Sequence, residues 1–291
     1  MHMVLIVSAS FVFGLLAGSF LNAVIYRLPA PKLRQAGLRS SRSIFVDRSR
    51  CPKCGKILSW HELVPVFSFL AQRGRCRGCK RGISLQYPLV EMATGALFSF
   101  TAFWVFGGQA FGTCGTELNC FLVSAFHWFI IAGLVVIFVY DLRHYIIPDK
   151  VLVPITLAAL VWRFLAPQNL ELIRIYPLAV NNLWALGTAV FAGFLTALPF
   201  ALLHFVSGGR WMGFGDVKLA FFMGVLLGWP GILLAMFLGF NFGAVAGIAL
   251  ILAGKKKLKN QMPFAPFLIL GTLTTLFFGR AILNWYFGMF F

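Results

Sequence analysis

Apolar runs of about twenty residues recur from one end of this chain to the other, and they constrain its fold more than any other feature. Each run is long enough to cross a hydrocarbon core of about 30 Å as an α-helix. Only 11% of the 291 residues are charged, whereas a soluble domain carries about a quarter. The sequence therefore predicts an all-α polytopic membrane protein with about eight transmembrane helices.

The first apolar run is interpreted as a retained helix and not as a secretory signal. It has no basic segment before it and no small-residue cleavage site before YRLPAPK. With this run included, the predicted helices are 3–26, 86–106, 121–140, 150–166, 181–206, 217–228, 232–253 and 264–287. An even number of crossings places both termini on one side of the membrane.

Basic residues are distributed unevenly over the predicted loops. The loop after the first helix, residues 27–85, contains 14 of the 25 Lys and Arg residues. The positive-inside rule places this loop in the cytoplasm and both termini outside. The formal net charge of +17 then predicts attraction to anionic lipid headgroups, so we expect membrane lipids and no nucleic acid as partners.

Four cysteines of the cytoplasmic loop form two CxxC pairs, CPKC and CRGC: Cys51, Cys54, Cys76 and Cys79. The pairs are separated by 21 residues, a spacing at which four thiolates can close a tetrahedral zinc shell. Gly55 and Gly78 are expected to permit the tight turns of the two knuckles. The alternative is two disulfides, which a reducing cytosol disfavours. The prediction is a structural zinc site.

The other two cysteines lie in a predicted outer loop. Cys114 and Cys120 occur in GTCGTELNC, where the spacing permits a small disulfide loop in an oxidising compartment. The alternative is two unpaired thiols. We expect the disulfide.

Four of the eight acidic residues are predicted in or beside the membrane: Glu91, Asp141, Asp149 and Asp216. Intramembrane acids are costly and are functional candidates. Asp149 follows Pro148 before a helix, where it can act as an N-cap. Asp141 instead ends the run LVVIFVYD, at a helix C-terminus that disfavours an anion. This position predicts a function for Asp141.

Asp216 lies in the stretch GFGDVKL, directly before a short apolar segment. A carboxylate at a helix start can be a simple cap. However, Gly213 and Gly215 leave space for a close approach by another chain. The helix over 217–228 would span about 18 Å, which is short of the bilayer core and draws Asp216 inward. Backbone at that depth must face water or protein.

Two aspartates that meet in a water-accessible cavity form a peptidase dyad. One carboxylate must be ionised to accept a proton from water, and the other must be protonated to polarise the scissile carbonyl. Close like charges split the titration so that both forms coexist. Asp141 and Asp216, on different helices, are candidates for such a dyad.

The motifs carry a resemblance to a known family. GFGD fits the GxGD signature of intramembrane aspartic proteases, and the surrounding sequence resembles the bacterial type IV prepilin peptidases over nearly the whole chain. The matching stretches are GSFLNAVIYRLP (18–29), CPKC, CRGC, ISLQYPLVEMATG (83–95), DLRHYIIPD (141–149), GFGDVKL (213–219) and PFAPFLILG (263–271). Ala265 stands where several members have Gly, which affects no catalytic position.

The resemblance implies an enzyme of the bacterial inner membrane with two activities. Its peptidase, with Asp141 and Asp216 as the catalytic pair, would cut the basic leader from prepilins and type II secretion pseudopilins after a glycine, on the cytoplasmic side. Because the four cysteines are present, it would also methylate the new N-terminal residue, usually Phe, with S-adenosylmethionine. The implied parts are the first helix (1–26), the zinc loop (27–85), the second helix with its outer loop (86–120) and a six-helix peptidase core (121–291).

The sequence leaves the methylation site and two alternative functions open. Glu91 is a candidate to receive the new amine, although it can equally be a helix-start carboxylate paired with Arg81 or Lys80. A proton-coupled carrier would also contain intramembrane acids and a broken helix, but it would need matching broken helices in two halves. A non-enzymatic assembly factor with a zinc loop would not require Asp216 beside two glycines.

Overall fold

The computed structural model describes residues 2–28, 48–107, 116–165, 182–254 and 262–288. Within these ranges, helices account for all regular secondary structure apart from two isolated β-bridges. The α-helices are α1 (His2–Arg27), α2 (Phe67–Ala71), α3 (Gln86–Phe106), α4 (Glu117–His144), α5 (Asp149–Leu165), α6 (Asn182–Ser207), α7 (Phe214–Leu227), α8 (Gly231–Leu252) and α9 (Ala265–Gly288). A short 3-10 helix spans Trp60–Glu62. The predicted all-α class is confirmed.

Every predicted helix is present, and its ends differ from the prediction by four residues at most. Six helices of the described ranges are long and apolar enough to cross a membrane by length and composition, namely α1, α3, α4, α6, α8 and α9. With 17 and 14 residues, α5 and α7 are shorter. That α5 and α7 also cross the membrane, which would give the predicted total of eight, therefore stays a prediction.

The helices group into two compact units, and the boundary between them falls within α4. The first unit contains α1 to α3 and the part of α4 from Cys120 to Val136. The second contains the first three residues of α4, the part of α4 from Ile137 onwards, and α5 to α9.

In the first unit, small residues bring the backbones of α1 and α3 together. A Cβ on Gly14 would lie 2.7 Å from the Gly95 Cα, and a Cβ on Gly18 would lie 2.7 Å from the Glu91 Cα. No larger residue fits there, so van der Waals contact between backbones holds the pair. Trp128 of α4 stacks on Phe98 of α3, with ring centroids 5.3 Å apart, and its Nε1 donates to the Phe98 carbonyl at 3.0 Å.

In the second unit, a close backbone contact at small residues likewise fixes α7 against α6. A Cβ on Gly224 would lie 2.6 Å from the Gly193 Cα and 2.6 Å from the Ala192 carbonyl oxygen. This contact holds α7 in one register along α6. It thereby fixes the height of the first turn of α7, which carries Asp216.

The C-terminal end of α7 is satisfied by a side chain from α5. Arg163 Nε donates to the Val225 carbonyl at 3.2 Å, and its Nη2 donates to the Leu226 carbonyl at 2.8 Å. The last four carbonyls of a helix have no partner inside it, and a cation there is also favoured by the helix dipole. Arg163 therefore allows α7 to stop after 14 residues.

Candidate active site and metal centre

Asp141 lies in the last turn of α4 and is only 5% exposed. The helix ends at His144 because Tyr145 adopts a left-handed conformation, with φ 56°, and its N–H donates to the Asp141 carbonyl at 2.9 Å. A short linker, residues 145–148, then leads to α5. As predicted, the carboxylate is at a helix C-terminus, where it gains nothing from the dipole.

Asp216 lies in the first turn of α7, after the N-cap Gly213. Its backbone N–H donates to the Gly213 carbonyl at 3.2 Å, and its Oδ2 would lie 3.7 Å from a Cβ at Gly213. An acid at this position that reaches back to the cap is one half of a capping box. Asp216 therefore occupies a position from which it can cap α7, which is the simpler of its two interpretations.

The turn before α7 is held by His204 near the end of α6. His204 Nδ1–H donates to the Met212 carbonyl at 2.8 Å, directly before Gly213. Gly208 and Gly209 have φ of 58° and 77°, which lets the chain reverse between the helices. His204 therefore helps to shape the turn that leads into GFGD.

Asp141 and Asp216 are close enough for their carboxyl groups to interact electrostatically. They come from the last turn of α4 and the first turn of α7, both in the second unit. One is buried and the other is half-buried. Two neighbouring carboxyl groups in such a place can share one proton, which provides an acid and a base for attack by water.

The two glycines of GFGD have different surroundings. A Cβ on Gly215 would lie 3.1 Å from the Ile147 Cβ, so the α4–α5 linker passes directly over this residue. A Cβ on Gly213 would meet the Asp216 Oδ2 at 3.7 Å, which is an ordinary contact. Close approach of another part of the chain therefore occurs at Gly215.

Lys218 and Asp149 form an ion pair that sequence reasoning missed. Lys218 Nζ donates to the Asp149 Oδ1 at 2.8 Å, and it also lies 5.3 Å from the Phe214 ring centroid. Asp149 is the first residue of α5, so its carboxylate links α5 to the first turn of α7. The N-cap role predicted for Asp149 involves only α5 and does not include this contact with α7.

The four loop cysteines come together as predicted. The sulfur atoms of Cys51, Cys54, Cys76 and Cys79 all lie within 4.8 Å of one another. Cys51 and Cys79 sulfurs, from different knuckles, are 4.0 Å apart. Around a tetrahedral zinc with Zn–S bonds of about 2.3 Å, the sulfurs would be about 3.8 Å apart. The cluster therefore fits a four-thiolate metal centre.

The two knuckles repeat one backbone pattern. Cys51 N–H donates to the Lys56 carbonyl and Cys76 N–H to the Arg81 carbonyl, both at 2.9 Å. In each knuckle the residue after the second cysteine has positive φ, and this residue is Gly55 in the first (72°) and Lys80 in the second (57°). The pattern confirms the role predicted for Gly55.

The role predicted for Gly78 is wrong, because the left-handed residue of the second knuckle is Lys80. Gly78 is small for another reason. A Cβ there would lie 3.1 Å from the Lys56 Cδ and 3.6 Å from the Cys54 Sγ, so this residue lets the two knuckles pack together.

Glu62 supports the first knuckle from the 3-10 helix. Its Oε2 accepts from the Ser59 N–H at 3.0 Å, and its Oε1 pairs with Lys56 Nζ at 3.0 Å. The Ser59 amide, together with Lys56, lowers the pKa of this carboxyl to about 2. The sequence SWHE has the capping-box spacing, which is the signal that identifies this residue.

Glu91 is buried in α3, and its Oε2 accepts from the Val66 N–H at 2.7 Å. Neither alternative derived from the sequence, an amine acceptor or a partner of Arg81 or Lys80, included this contact. The carboxylate ties the cysteine-containing loop to the transmembrane pair α1–α3. Its part in methylation stays a prediction.

The predicted Cys114–Cys120 disulfide involves a residue outside the described ranges. Cys120 is buried in the first turns of α4, whereas Cys114 is not described. The pairing therefore stays a prediction. In the same helix, His127 is buried and its Nδ1–H donates to the Val123 carbonyl at 2.7 Å.

Comparison with known proteins identifies two family models along the chain. Residues 12–106 match the bacterial peptidase A24 N-terminal domain, and residues 128–248 match the type IV leader peptidase family. The first match includes the cysteine cluster and Glu91, and the second includes Asp141 and Asp216.

Whole-chain relatives carry the name prepilin leader peptidase/N-methyltransferase. The Burkholderia pseudomallei (strain K96243) protein is 32% identical, over 92% of this chain and 84% of its own length. The Aeromonas hydrophila protein is 32% identical over 96% of this chain and 93% of its own length. The Bacillus subtilis (strain 168) protein is 33% identical over 97% of this chain and 98% of its own length. No solved structure matches the chain. The chain belongs to the type IV leader peptidase family.

Proposed function

We propose that this protein is a prepilin leader peptidase and N-methyltransferase. It removes the basic leader of prepilins and pseudopilins after a glycine, and then methylates the new N-terminal residue. The observation that supports the proposal is that the carboxyl groups of Asp141, at the end of α4, and Asp216, at the start of α7, lie within electrostatic reach of each other. The names of the relatives and the match of both family models support it.

Asp141 and Asp216 are the catalytic pair in this proposal. The ionised member takes a proton from the attacking water, and the protonated member donates a hydrogen bond to the scissile carbonyl. The proton then passes to the leaving amine, so the pair regains its starting state. Because the two groups titrate together, the roles belong to the pair and not to a single residue. Gly215 supports this arrangement by allowing Ile147 to lie against the turn.

The short length of α7 supports cleavage at the edge of the membrane. Its 14 residues span about 21 Å, less than a hydrocarbon core of about 30 Å. Asp216, at its N-terminal end, would thus lie below the surface of the bilayer. A substrate with an apolar helix and a basic leader would present its cleavage site at that depth. We infer that this end of α7 and the cysteine loop face the cytoplasm, because the loops there are the basic ones.

The cysteine cluster would hold one zinc ion. Its four sulfurs satisfy a tetrahedral shell and leave no open position for substrate or water. The ion would therefore supply folding free energy to the loop and no catalytic step. The loop itself is rich in cations, which offset the charge of four thiolates.

The methyl donor proposed is S-adenosylmethionine, which would supply an electrophilic methyl group to the new amine. It is polar and must arrive from the aqueous side. We assign methyl transfer to the loop 27–85 and peptide cleavage to the helices of 121–291. Glu91 is the proposed acceptor of the new amine, since it lies on α3 and binds the loop at Val66.

The test is a reaction of purified protein in detergent with a prepilin. Wild type and Asp216→Ala are compared, and the product is measured by mass spectrometry of the pilin N-terminus. A shortened pilin with wild type only supports the peptidase. No shortening by folded wild type would contradict it. Proton flux without shortening would then identify a carrier, and prepilin binding without shortening an assembly factor.

A further inference from the structure

Several large apolar side chains of the cysteine-containing loop are exposed although they lie outside the candidate membrane-spanning helices. Trp60 is 79% exposed, Phe67 is 72% exposed and Leu70 is 65% exposed. Trp60 belongs to the 3-10 helix, and the other two lie on α2. Clustered exposed apolar residues of this size mark an interaction surface. We call the segment Trp60–Ala71 the amphipathic segment.

Two hydrogen bonds fix the depth of the amphipathic segment relative to α1 and α3. The Val66 N–H donates to Glu91 Oε2 at 2.7 Å, and Ser19 Oγ donates to the Leu63 carbonyl at 3.4 Å. Glu91 is five residues inside α3, or about 7.5 Å along its axis, and Ser19 is eight residues before the end of α1, or about 12 Å. The segment is thus attached below the ends of two membrane-spanning helices.

A strained turn directs α2 from this attachment point. Val66 has φ 59° and ψ −49°, and Phe67 N–H donates to the Pro65 carbonyl at 2.5 Å. This is a γ-turn of the rare, strained kind, and its central residue is β-branched. Such strain persists where the surroundings enforce it, and it is common at functional positions. Here the Glu91 carboxylate enforces it by binding the Val66 amide at the centre of the turn.

The described part of the loop that contains the amphipathic segment is strongly cationic. All nine Lys and Arg residues between 48 and 85 are exposed: Arg48, Arg50, Lys53, Lys56, Arg73, Arg75, Arg77, Lys80 and Arg81. The only carboxylate in the same range is Glu62, which is buried and paired with Lys56. A partner that binds this surface must therefore offer apolar groups to Trp60, Phe67 and Leu70 and anionic groups to the cations.

We propose that the amphipathic segment docks the loop onto an anionic bilayer surface. Phe67 and Leu70 insert among the upper acyl chains, Trp60 lies at the headgroup level, and the surrounding cations bind lipid phosphates. Aromatic residues favour that interface, and amphipathic helices bind it through apolar insertion and basic residues together. Attachment through Glu91 and Ser19 places the segment at this depth. The proposal does not depend on the peptidase or methyl-transfer assignments.

The experiment measures lipid contact in the full-length protein. A fluorescent amino acid is placed singly at Phe67, Leu70, Lys53 or Leu16, and each variant is reconstituted in nanodiscs of phosphatidylcholine and phosphatidylglycerol with or without brominated acyl chains. Leu16, exposed on the membrane-spanning helix α1, is the positive control, and Lys53, exposed on the first knuckle, is the comparison site. Metal content of each variant verifies that the loop is folded.

We expect brominated lipid to quench the probe at position 67 or 70 at least half as strongly as the probe at position 16. Quenching at 67 and 70 should also be at least threefold stronger than at position 53. Without phosphatidylglycerol, quenching at 67 should fall by at least twofold. Quenching at 67 and 70 no stronger than at 53 would overturn the proposal. So would a probe at 67 that becomes protected only when prepilin is added, because a protein would then be the occupant.

Discussion

Ile147 lies directly over Gly215, so that a Cβ at position 215 would approach the Ile147 Cβ to 3.1 Å. This contact joins the linker after Asp141 to the turn before Asp216. The relative position of the two carboxylates therefore depends on a residue with no side chain. Gly213, two residues earlier, has no comparable contact among the described residues.

The first prediction contrasts these two glycines. Gly215→Ala should lower the cleavage rate by at least about tenfold, because overpacking costs about 1–3 kcal/mol and displaces the linker. Gly213→Ala should reduce it by less than about threefold, since its φ of −74° suits any residue. Rates are measured with prepilin in detergent, with protein yield as the control. Equal loss in both variants would show that the Ile147 contact is not the reason for Gly215.

The second prediction concerns the ion pair between Lys218 and Asp149. Both side chains are partly exposed, so the pair should contribute no more than about 1 kcal/mol to stability. Lys218→Met and Asp149→Asn should each slow cleavage by up to about fivefold, and the double variant should be no slower than either single one. Additive losses would mean that the two residues act separately.

Sequence reasoning predicted the helices well because membrane spans have one dominant physical requirement. A run of apolar residues must satisfy its backbone internally, which leaves few alternatives to a helix. The helix α4 extends four residues beyond the predicted end at 140, because the polar residues Asp141, Arg143 and His144 continue it. The left-handed Tyr145 that ends it has no strong sequence signal.

The sites were predictable where chemistry fixes the spacing. The spacing of the two CxxC pairs predicted that the four sulfurs come together. The aspartate after GxG was predicted at the start of a helix. Contacts between distant segments were not predictable, since the Val66 N–H bond to Glu91 and the Lys218 bond to Asp149 join residues 25 and 69 positions apart. Lys80 in place of glycine at a left-handed position was missed because non-glycine residues seldom adopt that conformation.

The third prediction is a pH dependence of the loop. The pKa of Glu62 is lowered to about 2, so its contribution is present above the unfolded value of about 4.5 and is lost as pH falls towards 2. Wild type should show stronger hydrogen-exchange protection over residues 57–71 than Glu62→Gln at pH 6. The difference should shrink at pH 4, where metal content is also measured because acid protonates zinc-bound thiolates as well. A difference that is unchanged at pH 4 in zinc-loaded protein would show that the charge of Glu62 is not what stabilises the loop.

The fourth prediction separates the two activities through the metal. Purified protein should contain about one zinc per chain, and Cys51→Ser with Cys54→Ser should release it. Methylation should then fall by at least about tenfold while cleavage falls by less than about threefold. Conversely, Asp216→Ala should not cleave prepilin but should methylate a pilin that is already cleaved. Zinc-free protein with full methylation would contradict the role of the loop.

The central claim is that Asp141 and Asp216 act as one catalytic unit, and a kinetic comparison of four proteins tests it most directly. Prepilin cleavage is measured for wild type, Asp141→Asn, Asp216→Asn and the double variant, each verified to be folded and membrane-inserted. We predict a loss of at least about a thousandfold in each single variant and no further loss in the double variant, because members of a catalytic unit are not additive. Cleavage by either single variant within about tenfold of wild type would contradict the claim.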